Sequence, residues 1–133
     1  MQAKTPATLD YIRRVHASRR IASVCTGGMI LAASGVLDGG PATTKREVVP
    51  PETSPLEVMR ATHPQIDVRE AMLVARPEGV VTGGGVTLCI DTTLHLIAGM
   101  LGPHVADETA RIMEYQRALR ANREAFAPVV SGK

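Results

Sequence analysis

Cys25 stands in the pentapeptide Ser23-Val24-Cys25-Thr26-Gly27, between a short apolar run, Ile21 to Val24, and a small-residue run, Gly28 to Ser34. Small-x-nucleophile-x-small is the spacing of a nucleophile elbow, in which a strand reverses sharply into a helix and the side chain at the bend is held clear of the sheet. A thiol there lies over a helix N-terminus, where unpaired N–H groups and the positive end of the dipole favour the thiolate. The chemistry on offer is nucleophilic attack on an electrophilic carbon, or reaction with an oxidant. The alternative is a buried structural cysteine that packs as a small hydrophobe.

Other residue patterns weigh less. Gly83-Gly84-Gly85 opens a helical segment, Thr87 to Met100, as a phosphate loop would, but no Lys-Ser or Lys-Thr follows and no G-x-G-x-x-G is present, so nucleotide binding is not expected. The glycines instead allow unusual dihedrals and close backbone approach. Asp91 and His95, at i,i+4, predict a helix-surface or interface pair; metal ligation needs a third ligand, and His16, His63 and His104 are dispersed, so no metal is expected. Cys89, between Leu88 and Ile90, reads as core. Arg13, Arg14, Arg19 and Arg20 have no stacking aromatics beside them and do not make a nucleic-acid surface.

The order Cys25-Thr26-Gly27, then Leu37-Asp38-Gly39-Gly40 with Ala42-Thr43-Thr44, then Val81-Thr82-Gly83-Gly84-Gly85-Val86-Thr87 with Ile90-Asp91, resembles the PfpI-type branch of the class I glutamine amidotransferase-like superfamily. Within it the pattern is most similar to isonitrile hydratases and to the amidotransferase-like sensor domains fused to AraC-type regulators. The match runs from Arg19 to about Leu101 and is specific for the superfamily rather than for a substrate. The resemblance implies Cys25 as nucleophile, Thr26 as a donor through its amide and hydroxyl, and Gly27, Gly84 and Gly85 as substrate-binding backbone. It implies a small-molecule substrate or ligand, no cofactor and a homodimer.

Two departures qualify this. The family residue after Thr-Thr, usually His, is here Lys45 followed by Arg46, so a proton-shuttling ring is replaced by a long cation. The family pattern also carries several strand–helix units before the elbow, where this sequence has about one helix; the acidic partner of the cysteine and an oxyanion glycine belong to those units. Three readings follow: a cysteine-dependent enzyme resembling isonitrile hydratase, a non-catalytic shortened relative acting as a ligand or redox sensor, and a chain completed by a separate subunit.

The sequence has 133 residues, one domain's worth, enough to bury roughly two thirds of its unfolded surface. Apolar residues make up 44% and aromatics 2%, so an aliphatic core is expected; the net charge of +2 is dispersed. No apolar stretch is long enough to span a membrane and no signal-peptide h-region opens the chain, which points to the cytoplasm with both cysteines reduced. The expected fold is α/β: a partial flavodoxin-like sandwich over residues 1–133, its mostly parallel sheet flanked by helices.

Periodicity and turn chemistry place the elements. A helix is expected from Thr8 to Ala17, a buried strand over Ile21–Val24, and a helix over Gly28–Ser34 closed by Gly35. Lys45 to Pro55 reads as a surface connection. Ser54-Pro55-Leu56-Glu57 reads as a capping box, on a helix stopped by His63-Pro64. Arg76-Pro77-Glu78-Gly79 predicts a hairpin between Met72–Ala75 and Val80–Thr82. Val105 to Ala125 predicts one amphipathic helix, with a Val105, Thr109, Ile112, Met113, Gln116 and Leu119 stripe and pairs at Asp107–Arg111 and Glu114–Arg117.

Overall fold

The computed structural model describes residues 2–131. After a single 3-10 turn, Gln2–Lys4, the chain forms α1 (Pro6–His16), β1 (Ile21–Ser23), α2 (Gly27–Ser34), β2 (Pro41–Ala42), α3 (Pro55–Thr62), β3 (Asp67–Val68), β4 (Leu73–Ala75), β5 (Val80–Gly83), α4 (Leu88–Leu101), α5 (Pro103–Ile112), α6 (Gln116–Ala125) and β6 (Val129–Val130). The main sheet has the order β1-β5-β4-β6. β1 lies parallel to β5 and β6 parallel to β4, while β4 and β5 form the expected antiparallel hairpin, with Val74 opposite Thr82. β2 and β3 make a separate parallel pair.

Alternation along β5 divides the core. Val80 points into a cluster with Ile12, Leu31, Leu37, Ala42, Met59 and Ile66, under α1, α2 and α3. Its neighbour Val81 points the other way, into Met72, Leu73 and Ala75, against Leu88 and Leu96 of α4 and Leu119 and Phe126 at α6. The period-2 side-chain geometry of a strand thus separates two aliphatic layers, one on each face of the sheet. Gly35 closes α2 with φ 88°, as the sequence requires. Helix α3 ends at His63, whose extended φ of −128° is what the following proline imposes.

Several expectations are corrected. β1 is not a buried strand: among the described residues it pairs only with β5, Ala22 is exposed and Val24 is 41% exposed, because β1 is the sheet edge. The capping box at α3 does not form. The Ser54 hydroxyl is buried without a partner, and Glu57 pairs with Arg60 one turn on instead of reaching back. The single long C-terminal helix is two helices, interrupted at Glu114, which takes φ 55°. Arg111 pairs with Glu108 at 2.9 Å in place of Asp107, and Ile112 and Met113 before the break are exposed. Arg76, at the start of the turn that the sequence marks, is buried; it donates from Nε to the Pro41 carbonyl at 2.8 Å and from Nη2 to the Leu37 carbonyl, holding the β2 segment to the hairpin.

Candidate active site

The elbow forms where the sequence places it. β1 ends at Ser23, α2 starts at Gly27, and Cys25 between them takes φ 53°. A non-glycine residue in the left-handed region is strained by contact of its Cβ with the backbone, so something must hold it there. Two hydrogen bonds do. The Cys25 N–H donates to the Gly84 carbonyl at 3.0 Å, and the Thr44 hydroxyl donates to the Cys25 carbonyl at 2.8 Å. Gly84 is itself fixed, since its N–H donates to the Met72 carbonyl at 3.0 Å. Two segments distant in sequence therefore hold the N–H and the carbonyl of one residue, which is why a short strand and a short helix suffice to make the bend.

Gly28 is small for a steric reason. A Cβ there would sit 3.0 Å from the Thr43 carbonyl and 3.0 Å from the Thr44 side chain, so any larger residue would push α2 off the segment that supplies the Thr44 clamp. Thr43 is anchored in turn: its N–H donates to the Thr82 hydroxyl at 2.9 Å. Thr26 is the α2 N-cap, exposed, with no side-chain cap bond, and among the described residues its N–H has no acceptor. That donor lies one residue from the sulfur and is free to bind developing negative charge.

Beside the elbow lies a cleft of about 280 Å³, bordered by Thr44, Lys45 and Arg46 on one side and by Gly84, Gly85 and Thr87 on the other. Gly84 and Gly85 line this cleft, whereas Cys25, Thr26 and Gly27 do not border it. None of Gly83, Gly84 and Gly85 has positive φ, so only the close-approach part of the expectation for them holds: a Cβ on Gly85 would lie 2.6 Å from the Lys45 side chain. At the cleft wall the Arg46 guanidinium lies 4.9 Å over the Phe126 ring and pairs with Glu47 at 2.8 Å and Glu70 at 3.6 Å.

No family profile matches the chain. It is 35% identical over 84% of its length to an isonitrile hydratase of Pseudomonas putida, covering 45% of that protein. It is 29% identical over 80% of its length to the HTH-type transcriptional regulator CdhR of Pseudomonas aeruginosa, covering 30% of it. Among solved structures, a ThiJ/PfpI family protein from Pseudomonas syringae superposes with a TM-score of 0.70 at 28% identity, over 86% of this chain and 44% of that one. The chain belongs to the DJ-1/PfpI superfamily. It spans less than half the length of the curated relatives it matches. A mutant of a DJ-1 superfamily protein from Salmonella typhimurium, at 21% identity and TM-score 0.66 over 86% of this chain and 57% of that one, shares the superfamily fold, an α/β flavodoxin-like arrangement.

Not every candidate residue of this superfamily member sits where sequence reasoning put it. Asp91 is not paired with His95 on a surface. It is 2% exposed, accepts from the Tyr115 hydroxyl at 2.7 Å and from Asn122 Nδ2 at 3.2 Å, and ties α4 to the start and middle of α6. Burial and then this bond push the Tyr115 phenol up to about 12. His95 instead lies half-buried, with burial first and Arg123 second lowering its pKa. Tyr115 and Asn122 lie 24 and 31 residues from Asp91, beyond any periodic signal. The Thr44 clamp lies in a stretch the motif had marked, without its role. Cys89 is half-buried rather than core; burial, then proximity to Cys25, raises its thiol pKa. Among the described residues no cluster could hold a metal ion, and no helix is long and apolar enough to cross a membrane.

Proposed function

We propose that Cys25 is a catalytic nucleophile and that this domain hydrates an isocyanide to an N-substituted formamide. The observation that carries the reading is the left-handed Cys25, held by Gly84 and Thr44 at the head of α2. In the first step the Cys25 sulfur bonds to the terminal isocyanide carbon, and the thiol proton ends on that carbon, giving an enzyme-bound thioimidate. Water then adds to the same carbon, the carbon–sulfur bond breaks, and the released formamide carries the water oxygen while the thiol is restored. The Thr26 N–H, next in sequence to Cys25 and without an acceptor among the described residues, is the donor this reading assigns to developing negative charge. The similarity to an isonitrile hydratase supports this choice of electrophile. Purified protein incubated with an alkyl isocyanide should yield formamide detectable by NMR, and Cys25→Ala should reduce it to the uncatalysed rate. Equal formamide in both samples would overturn the reading.

A second reading, a ligand-sensing module like part of an HTH-type regulator, has its own support. The cleft beside the elbow is walled by Lys45 and Arg46, and Cys25 stands outside its lining, an arrangement suited to binding without turnover. Formation of no formamide while Cys25 still reacts with an alkylating agent would select it. Under either reading the domain acts in a reducing compartment and pairs with a second copy of itself.

A further inference from the structure

The chain has a second thiol beside the first, and the two converge on one atom. The Gly84 carbonyl oxygen accepts the Cys25 N–H at 3.0 Å and the Cys89 Sγ–H at 4.0 Å. The Cys89 sulfur therefore lies no farther from the Cys25 main chain than those two distances laid end to end. Gly84 is held from both sides by main-chain bonds, its N–H to the Met72 carbonyl just before β4 and its carbonyl from the Cys25 N–H, so the position of that carbonyl is fixed by the backbone. Cys89 occupies the first turn of α4, half-buried, with Leu88 and Leu96 of the same helix packed on the sheet. Proximity to Cys25 is also one of the causes that raise the Cys89 thiol pKa, after burial. One thiol thus belongs to the left-handed bend before α2 and the other is half-buried on the first turn of α4, with both residues hydrogen-bonded to the Gly84 carbonyl. That asymmetry is what a peroxide-reactive thiol and its resolving partner require.

We infer that Cys25 and Cys89 form a reversible intramolecular disulfide in response to hydroperoxides, which switches off the Cys25 nucleophile and protects it from irreversible oxidation. The inference rests on Cys25 being a reactive thiol, as proposed above. The Cys25 thiolate attacks the distal peroxide oxygen, the O–O bond breaks, and the leaving hydroxide takes a proton to become water, leaving Cys25 as a sulfenic acid. The Cys89 sulfur then attacks the Cys25 sulfur, a second water leaves, and the S–S bond forms. In sum two thiols are oxidised and one hydrogen peroxide is reduced to two waters; with an organic hydroperoxide the first leaving group is the alkoxide, and the products are one alcohol and one water. A thiol reductant reverses the change. Closing the bond requires the two half-buried side chains to turn toward each other until their sulfurs are about 2.05 Å apart.

The test is peptide mass mapping of the native chain after a brief exposure to hydrogen peroxide, beside a sulfenic-acid trap on the native chain and on Cys89→Ser. The expected result is a Cys25–Cys89 cross-linked peptide within one chain, abolished by dithiothreitol, and at least tenfold more trap on Cys25 in Cys89→Ser than in the native chain. Equal trapping in both, or a disulfide between Cys25 of two chains, would overturn the pairing while leaving Cys25 a reactive thiol. If Cys25 in the native chain reacts neither with peroxide nor with iodoacetamide, the reactive-thiol reading itself fails and this inference with it.

Discussion

The left-handed peptide at Cys25 is strained in isolation, and the structure stabilises it with a single side chain, Thr44, and a single carbonyl, Gly84. Removing the hydroxyl leaves the Cys25 carbonyl without its partner, a loss of about 1 kcal/mol of stability plus freedom for the elbow to relax. Thr44→Val should therefore unfold at lower denaturant and slow alkylation of Cys25 several-fold, while Thr44→Ser, which keeps the hydroxyl, should restore both. An unchanged alkylation rate in Thr44→Val would mean that the Gly84 contact alone sets the bend. The elbow was legible because its signature is local: five consecutive residues fix a nucleophile between small neighbours. The clamp was not, because its donor is 19 residues away and only the fold says which face Thr44 presents.

At the scale of elements, the contacts that join α4 to α6 run through the buried Asp91 and through Leu119 and Phe126 on the sheet. An unfolded tyrosine ionises near pH ~10, whereas Tyr115 in the fold is pushed up to about 12. The folded chain holds this proton more tightly, so its contribution is complete below pH ~10 and is lost as pH rises toward about 12. Urea unfolding followed across that window should show a falling midpoint, and Tyr115→Phe should flatten that fall while being less stable at pH 7 because Asp91 loses a donor. A native midpoint that does not fall across the window would show that the phenol is not held in the fold. The hairpin, α2 and α4 were readable from turn residues and periodicity. The C-terminal helix was read as one because its apolar spacing continues through residues 113–115, and nothing local marks Glu114 as a left-handed break; the pairing of Tyr115 with Asp91 accompanies that break and lies outside any local window.

For the whole molecule, the sheet ends at β1, whose outer edge has no strand beside it among the described residues and carries the exposed Ala22 and Val24. Unpaired edges are templates for pairing, and a cation on the edge opposes it. Sedimentation of the native chain should show concentration-dependent self-association, and Ala22→Lys should shift it toward monomer; an identical monomer in both would remove the edge as the contact. The sequence by itself determined the α/β class, the aliphatic core, the elbow around Cys25 and the superfamily, because each depends on residue type and short spacing. The tertiary structure alone decided that β1 is an edge, that Arg76 and Asp91 are buried as ties between elements, that Gly84 and Gly85 border a cleft from which Cys25 is set apart, and that Cys89 shares the Gly84 carbonyl with Cys25. Each of these depends on which segments pack together, and packing is set by contacts between residues far apart in the chain.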